Sequence, residues 1–377
     1  MKKKKILFYN WDYLDGNEGG GVTVYSRNLI SNLRKDKNYE IFYFNSGISY
    51  DTSKKLKIKR IKNSISKEIK TYTIVNSPIL APSHHNFYGI KEYLTDTSLY
   101  EILKKFILKQ GGFDIIHFNN LEGLSVNVLK LKEDFPKTKF IFSVHNYFLF
   151  CPQVNLWNKE KLSCDDYCSG KECLDCLVHY YDKNRILSNR KIEFIIKRLG
   201  INKNSNAYNK NFNRLEKIRI VRTRIKGYDK ISKQQNPIKK PIFKTDQNQP
   251  KLYMNFRETN VKFINKYIDT IIAVSFRVKE ICEKYGLDNK KLNVKYIGTK
   301  VADKQIKKNS SDTNSTIFKI CYLGYMRRDK GFYFLLDSLK HIPPEYAKNI
   351  SILLAARCSD ENVFEECKQL GKTFYSI

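Results

Sequence analysis

The chain has 377 residues, enough for two domains of ordinary size. Apolar residues at 41% and aromatics at 13% exclude an intrinsically disordered composition, and no run of about 18 apolar residues is present to cross a membrane as a helix. The formal net charge of +31 points to anionic partners (nucleic acid, an anionic membrane face or phosphorylated substrates), although abundant Lys, Asn and Ile also reflect what an AT-rich genome encodes.

The start, MKKKKILFYNWD, carries a basic run but too short an apolar stretch for a secretory signal. A cytoplasmic chain is therefore expected, with its nine cysteines as thiols or metal ligands rather than disulfides. KKILFYN (4–10) predicts a strand, DGNEGGG a glycine-rich loop, VTVYSRNLISNL (22–33) an amphipathic helix and EIFYFN (40–45) a second strand. Residues 46–70 read as a loop or weak hairpin. A helix near 98–109, the strand FDIIHFNN (113–120), a helix near 122–133 and the strand KFIFSVHN (139–146) follow. Such alternation predicts βαβ units on a parallel sheet.

After His145 the pattern changes to a cysteine-rich insert at 151–176, then a polar, basic insertion at about 180–253 with helical patches. The α/β rhythm resumes with YIDTIIAVSF (267–276), a helix to 286 and NVKYIG (293–298). Residues 302–315 (ADKQIKKNSSDTNS) have no periodicity and read as a linker. Beyond it come the strand FKICYLG (318–324), the helix GFYFLLDSLKHI (331–342), the strand ISILLAA (350–356) and a last helix near 360–371. The expected organisation is one Rossmann-like domain over 1–301, the linker, and the start of a second over 316–377.

Four places offer chemistry. GGG (19–21) ends a strand–loop and opens a helix, which suits either a flexible turn or a close backbone approach to a phosphate. LGYMRRDKGF (323–332) sets Arg327, Arg328 and Lys330 at a helix N-terminus, which suits either a solvated basic loop or an anion held between the cations and the helix dipole they otherwise oppose. His145 stands where a buried strand gives out into a loop, facing either a cleft or a structural partner, and His117 reads as structural. Cys151, Cys164, Cys168, Cys173 and Cys176, with His179 close by, leave three readings open: a structural zinc site, free thiols or a disulfide. Cys282, Cys321, Cys358 and Cys367 lie on apolar faces and read as core.

In this order the pieces resemble family 4 of the retaining glycosyltransferases. The resemblance is carried by GGGVTVYSRNLISNL, FDIIHFNN, SVHNYFLFCP, IDTIIAVSFRVKEICEKYGLDNKKLNVKYIGTKV and FKICYLGYMRRDKGFYFLLDSL, and covers most of the chain outside about 46–95 and 180–253. It implies a GT-B-like α/β fold, with a complete N-terminal, acceptor-side Rossmann-like domain and an incomplete second one that binds the donor. The family's donor domain continues to an E-x7-E segment, and the chain ends at Ile377 before one, so a C-terminally truncated transferase is expected. The resemblance further implies that Gly20 and Gly21 approach the donor diphosphate, that Lys330 binds it, and that His145 contacts the transferred sugar. Where the family has Arg after its loop glycine, this chain has Tyr325, and Arg327 is the candidate to reach the same phosphate.

The implied partners are a nucleotide-diphosphate sugar and a glycan or lipid-linked acceptor, with peripheral contact at the inner face of the plasma membrane and no nucleic acid. Two other readings stand beside it: an inactive truncated remnant of such an enzyme, and a zinc-containing nucleic-acid-binding protein.

Overall fold

Strand β1 (Lys4–Tyr9) buries both of its faces. Leu7 and Tyr9 join one core cluster, while Ile6 and Phe8 join another beneath Ile30 of the first helix. A strand buried on both faces belongs inside a parallel sheet with helices above and below. The computed structural model describes residues 3–16, 18–177, 181–201, 206–225, 249–298, 316–327, 330–357 and 361–374. The expected linker at 302–315, with His179, Arg328 and Cys358, lies outside the described residues. The chain divides into two compact units, Met1–Asp303 and Lys304–Ile377.

In the first unit, β1 leads through α1 (Gly20–Leu33) to β2 (Tyr39–Ser49), then β3 (Lys57–Ile61) and β4 (Lys70–Val75). Helices α2 (Ile90–Thr95) and α3 (Ser98–Lys109) precede β5 (Ile115–Phe118); α4 (Leu131–Asp134) precedes β6 (Lys139–Val144). The cysteine-rich stretch holds a two-residue hairpin, β7 (Trp157–Asn158) with β8 (Leu162–Ser163), and a short 3-10 segment over Cys168–Cys173. Then come α5 (Lys183–Arg198), α6 (Asn206–Ile225), α7 (Gln249–Tyr267), β9 (Thr270–Ala273), α8 (Phe276–Lys284) and β10 (Leu292–Val294).

Eight strands form one sheet in the order β10-β9-β6-β5-β1-β2-β4-β3, and every pairing is parallel except β3 with β4. From β1 the chain builds outward through β2 and β4, then returns to the other side of β1 with β5. That reversal makes the carboxyl ends of β1 and β5 a topological switch point, where open α/β sheets receive ligands.

Three sequence expectations change here. The stretch read as a loop or weak hairpin at 46–70 supplies the end of β2 and the edge hairpin β3–β4, because β2 stays fully buried through Ser49. The helix expected near 122–133 is a 3-10 turn, Val126–Lys130, followed by the single turn of α4, since Ser125 caps at Asn127 N. At the end of the basic insertion and running past it, α7 is a core helix: Phe256, Asn260 and Ile264 are wholly buried.

In the second unit, β11 (Phe318–Tyr325) pairs in parallel with β12 (Ile350–Arg357), joined through α9 (Phe332–Lys340) and the short α10 (Pro344–Ala347), and α11 (Glu361–Gly371) follows. Only one face of this two-stranded sheet is packed. Ile320, Tyr322, Leu354 and Ile352 meet the helices, while Leu323 is 83% exposed and Leu353 64% exposed. Cys321 shares that open face, which corrects its reading as core; Cys367 and Cys282 are buried as expected.

Candidate functional site

The loop after β1 is organised by one carboxylate. Asp12 is buried and accepts from Gly19 N at 2.8 Å, Thr23 Oγ1 at 3.1 Å and Tyr13 N at 2.8 Å. Burial raises its pKa, against the lowering effect of those donors. A polar chain carries the arrangement to β5: Asn120 Nδ2 donates to Asn10 Oδ1 at 2.6 Å, and Asn10 Nδ2 donates to Thr23 Oγ1 at 3.2 Å. The glycines divide by what surrounds them. A Cβ on Gly19 would stand 2.2 Å from Thr23 Oγ1, whereas one on Gly20 or Gly21 would meet nothing within 4 Å. Gly20 has φ +56, a conformation that costs an L-residue about 1–2 kcal/mol. Gly19 is thus demanded by packing, and Gly20 and Gly21 face open space at a helix start, where first-turn N–H groups have no intrahelical acceptor.

His145 lies just beyond β6, at the same edge of the sheet. Its ring packs against Tyr25, one turn along α1 from Gly21, with centroids 4.9 Å apart. The glycine loop and His145 therefore belong to one place. Asn119 fixes the tautomer: its Nδ2 donates to Tyr9 O at 3.2 Å, which leaves Oδ1 facing His145 Nε2 at 3.3 Å. Nε2 must then carry the proton, and Nδ1 presents a lone pair. That Nδ1 is buried with no hydrogen-bond partner among the described residues. Burial lowers the imidazole pKa to about 4, so the ring is neutral at ordinary pH. His117, by contrast, bonds Ser143 Oγ through Nε2 at 2.7 Å and packs on Phe8, a structural role.

Below His145 sits Glu122, buried, whose Oε2 accepts from Ser83 N at 2.6 Å and Oε1 from Asn146 Nδ2 at 2.8 Å. Burial raises its pKa too. Asp12, Asn10, Asn119 and Glu122 had no signal in the sequence beyond lying just past strand ends, where side chains turn from sheet to site, and Tyr25 had none beyond its place on α1.

Arg327 and Lys330 belong to the second unit and are exposed at the β11–α9 loop. Backbone bonds from Lys330 N and Phe332 N to Arg327 O close this loop, and Tyr322 Oη donates to Tyr325 O at 2.7 Å and Lys330 O at 3.3 Å. Gly331, with φ +73, starts α9. Tyr325, where the resembled family has Arg, is 45% exposed on β11.

The cysteines sort by environment. Cys151, Cys164, Cys173 and Cys176 are buried in the main core, and Cys168 is exposed. Burial pushes the thiols up, Cys151 to about 12 and Cys164 to about 11. Arg257 reaches in from α7, donating from Nη2 to Cys173 Sγ at 3.3 Å and lying over the Tyr167 ring at 3.8 Å. Among the described residues no three His, Cys, Asp or Glu side chains converge to hold a metal ion, so the zinc expectation rests on spacing alone. No helix among the described residues is long and apolar enough to cross a membrane.

No protein-family profile matches the chain, and no curated protein sequence matches it. Solved structures do align. Anabaena HepE in complex with UDP and glucose aligns over 98% of this chain and 65% of its own, at 11% identity and a TM-score of 0.40. The trehalose 6-phosphate synthase of Burkholderia multivorans aligns over 99% of this chain and 71% of its own, at 9% identity and a TM-score of 0.43. The chain thus spans just under two thirds of the HepE chain.

Proposed function

We propose that the chain takes part in moving a sugar from a nucleotide-diphosphate sugar to a glycan or lipid-linked acceptor, with retention at the sugar carbon. The observation that carries this reading is the pairing, at the switch point of the sheet, of an open glycine helix start with a neutral histidine whose Nδ1 is buried and unpartnered. The order of motifs shared with the resembled family supports it.

Each part has a role in such a reaction. The N–H groups opening α1 favour the leaving diphosphate, whose charge grows as the glycosidic bond breaks. Arg327 and Lys330, exposed at the loop that opens α9 in the second unit, are side-chain cations of the kind a donor diphosphate attracts. His145, neutral and held by Asn119, stands beside the glycine loop and orients the sugar ring as the oxocarbenium-like state develops. A cationic histidine there would repel that state, so the depressed pKa suits the task.

The test is a thermal-shift screen of the full chain against UDP-, GDP-, ADP- and TDP-sugars. One nucleotide sugar is expected to raise the melting temperature, and the shift should shrink in Arg327→Ala and Lys330→Ala. No shift with any of them would overturn the donor reading.

A further inference from the structure

The helical insertion is fastened onto the glycine loop by ion pairs. Arg190 of α5, its side chain only 6% exposed, bonds Glu18 Oε2 at 2.8 Å and Glu193 Oε2 at 2.8 Å. Lys197, two turns on, bonds Asp15 Oδ1 at 2.8 Å and covers the Tyr13 ring at 4.5 Å. Asp15 also accepts from Ser64 N at 3.1 Å, tying in the turn between β3 and β4. A guanidinium so nearly buried is tolerated only with its charge matched, so this clamp has a defined closed geometry.

Between the three segments lies a pocket of about 290 Å³. Its volume is near the lower bound of small-molecule sites, roughly 300–1,000 Å³. Asp12, Tyr13, Ser64, Glu193, Ile201 and Tyr208 are among its lining residues. Asp12 is the carboxylate that holds the glycine loop, so the pocket adjoins the site already described. Its charge is also unlike the rest of the chain. Four acids line it (Asp12, Asp15, Glu18 and Glu193) against two lysines, Lys62 and Lys197, in a protein with 69 Lys and Arg to 38 Asp and Glu. Arg190, Lys197 and Lys62 offset three of those four acids, and no excess of positive charge remains to hold a phosphate or carboxylate. Ring and aliphatic C–H surface from Tyr13, Ile201 and Tyr208, beside carboxylate oxygens, matches a neutral ring with hydroxyls around its edge.

We infer that this pocket holds a neutral hexose or N-acetylhexosamine unit of the acceptor, and that the helical insertion sets acceptor choice. The inference rests on the transferase reading for the word acceptor; the binding of a neutral sugar stands by itself.

The experiment is saturation-transfer NMR on the full chain with methyl glucoside, methyl N-acetylglucosaminide and, as the anionic comparison, glucose 1-phosphate. The variant is Ser64→Trp, an exposed position whose backbone N–H keeps its bond to Asp15. A neutral glycoside should give a signal that falls at least tenfold in the variant, while the thermal shift from nucleotide sugars persists. Neutral glycosides that bind Ser64→Trp as well as the parent would overturn the site. So would a chain that responds to nucleotide sugar but to no glycoside, or one that prefers glucose 1-phosphate. Glycoside binding lost in Ser64→Trp, in a chain that no nucleotide sugar stabilises, would sink the donor reading and leave the pocket assignment standing. Unchanged urea unfolding of Ser64→Trp and parent separates blocking from misfolding.

Discussion

The two units each contain a strand, a glycine-bearing loop and a helix, and they close that loop by opposite means. After β1 the loop is closed from inside by a buried acid, Asp12, and offers backbone groups at Gly20 and Gly21. After β11 the loop is closed by the hydroxyl of Tyr322 and offers side-chain cations on the surface. The difference follows from packing. A loop built on oriented N–H groups needs a rigid, covered sheet to aim them, which the first unit has. Cations on flexible stems need no such precision, and the second unit, with one sheet face open, supplies them.

The comparison can be broken at several points. The largest effect is expected from Asp12→Ala, which strips acceptors from Gly19 N, Tyr13 N and Thr23 Oγ1 and should cost about 2–3 kcal/mol in urea unfolding. The sign with pH is also fixed. Burial raises the pKa of Asp12, so folding favours its protonated form, and stability drops as pH rises past the ordinary aspartate range. Asp12→Asn should flatten that slope in melts taken across acid pH, and an unchanged slope would refute the assignment.

Next in size is His145→Ala, expected to lower transfer roughly 10²-fold with nucleotide-sugar binding nearly intact. Its titration runs the other way from Asp12. A base whose folded pKa falls from 6.5 to about 4 lends stability that is complete above 6.5 and lost as pH drops toward 4. His145→Gln should remove that acid-side loss, as read from unfolding midpoints. Arg327→Ala should weaken nucleotide-sugar binding about tenfold, worth ~1.4 kcal/mol. The smallest structural effect is expected from Gly21→Ala, since its Cβ enters open space. Its unfolding should match the parent within about 0.5 kcal/mol while nucleotide-sugar affinity drops. Equal affinity would reduce the loop to a plain turn.

The sequence made the sheet legible because strand burial is written in local apolar runs: β1, β5, β6 and β9 fall inside the expected segments. It also marked Gly20, Gly21 and His145, which sit at the ends of those runs. It missed β4 and α7, whose burial comes from distant partners; Asn260 of α7 is buried because Tyr93 Oη donates to its Oδ1 at 2.6 Å. It missed Asp12, Asn119 and Glu122 for the same reason: each acts through residues more than six positions away. Arg190 looked like one more cation in a basic stretch until the fold set Glu18 against it.

The basic composition has one consequence away from any ligand. The eight-stranded sheet has two margins: β10, three residues long, and β3, whose KIKRI carries Lys57, Lys59 and Arg60. A flat, apolar margin would invite other chains to add strands and grow an aggregate. Here one margin is too short to template a neighbour, and the other would set rows of like charge against each other in any self-pairing. Some of the +31 charge thus opposes edge-to-edge pairing at that margin. Replacing Arg60 with threonine, while leaving Lys57 and Lys59 paired to Asp51, would put solubility rather than folding at risk.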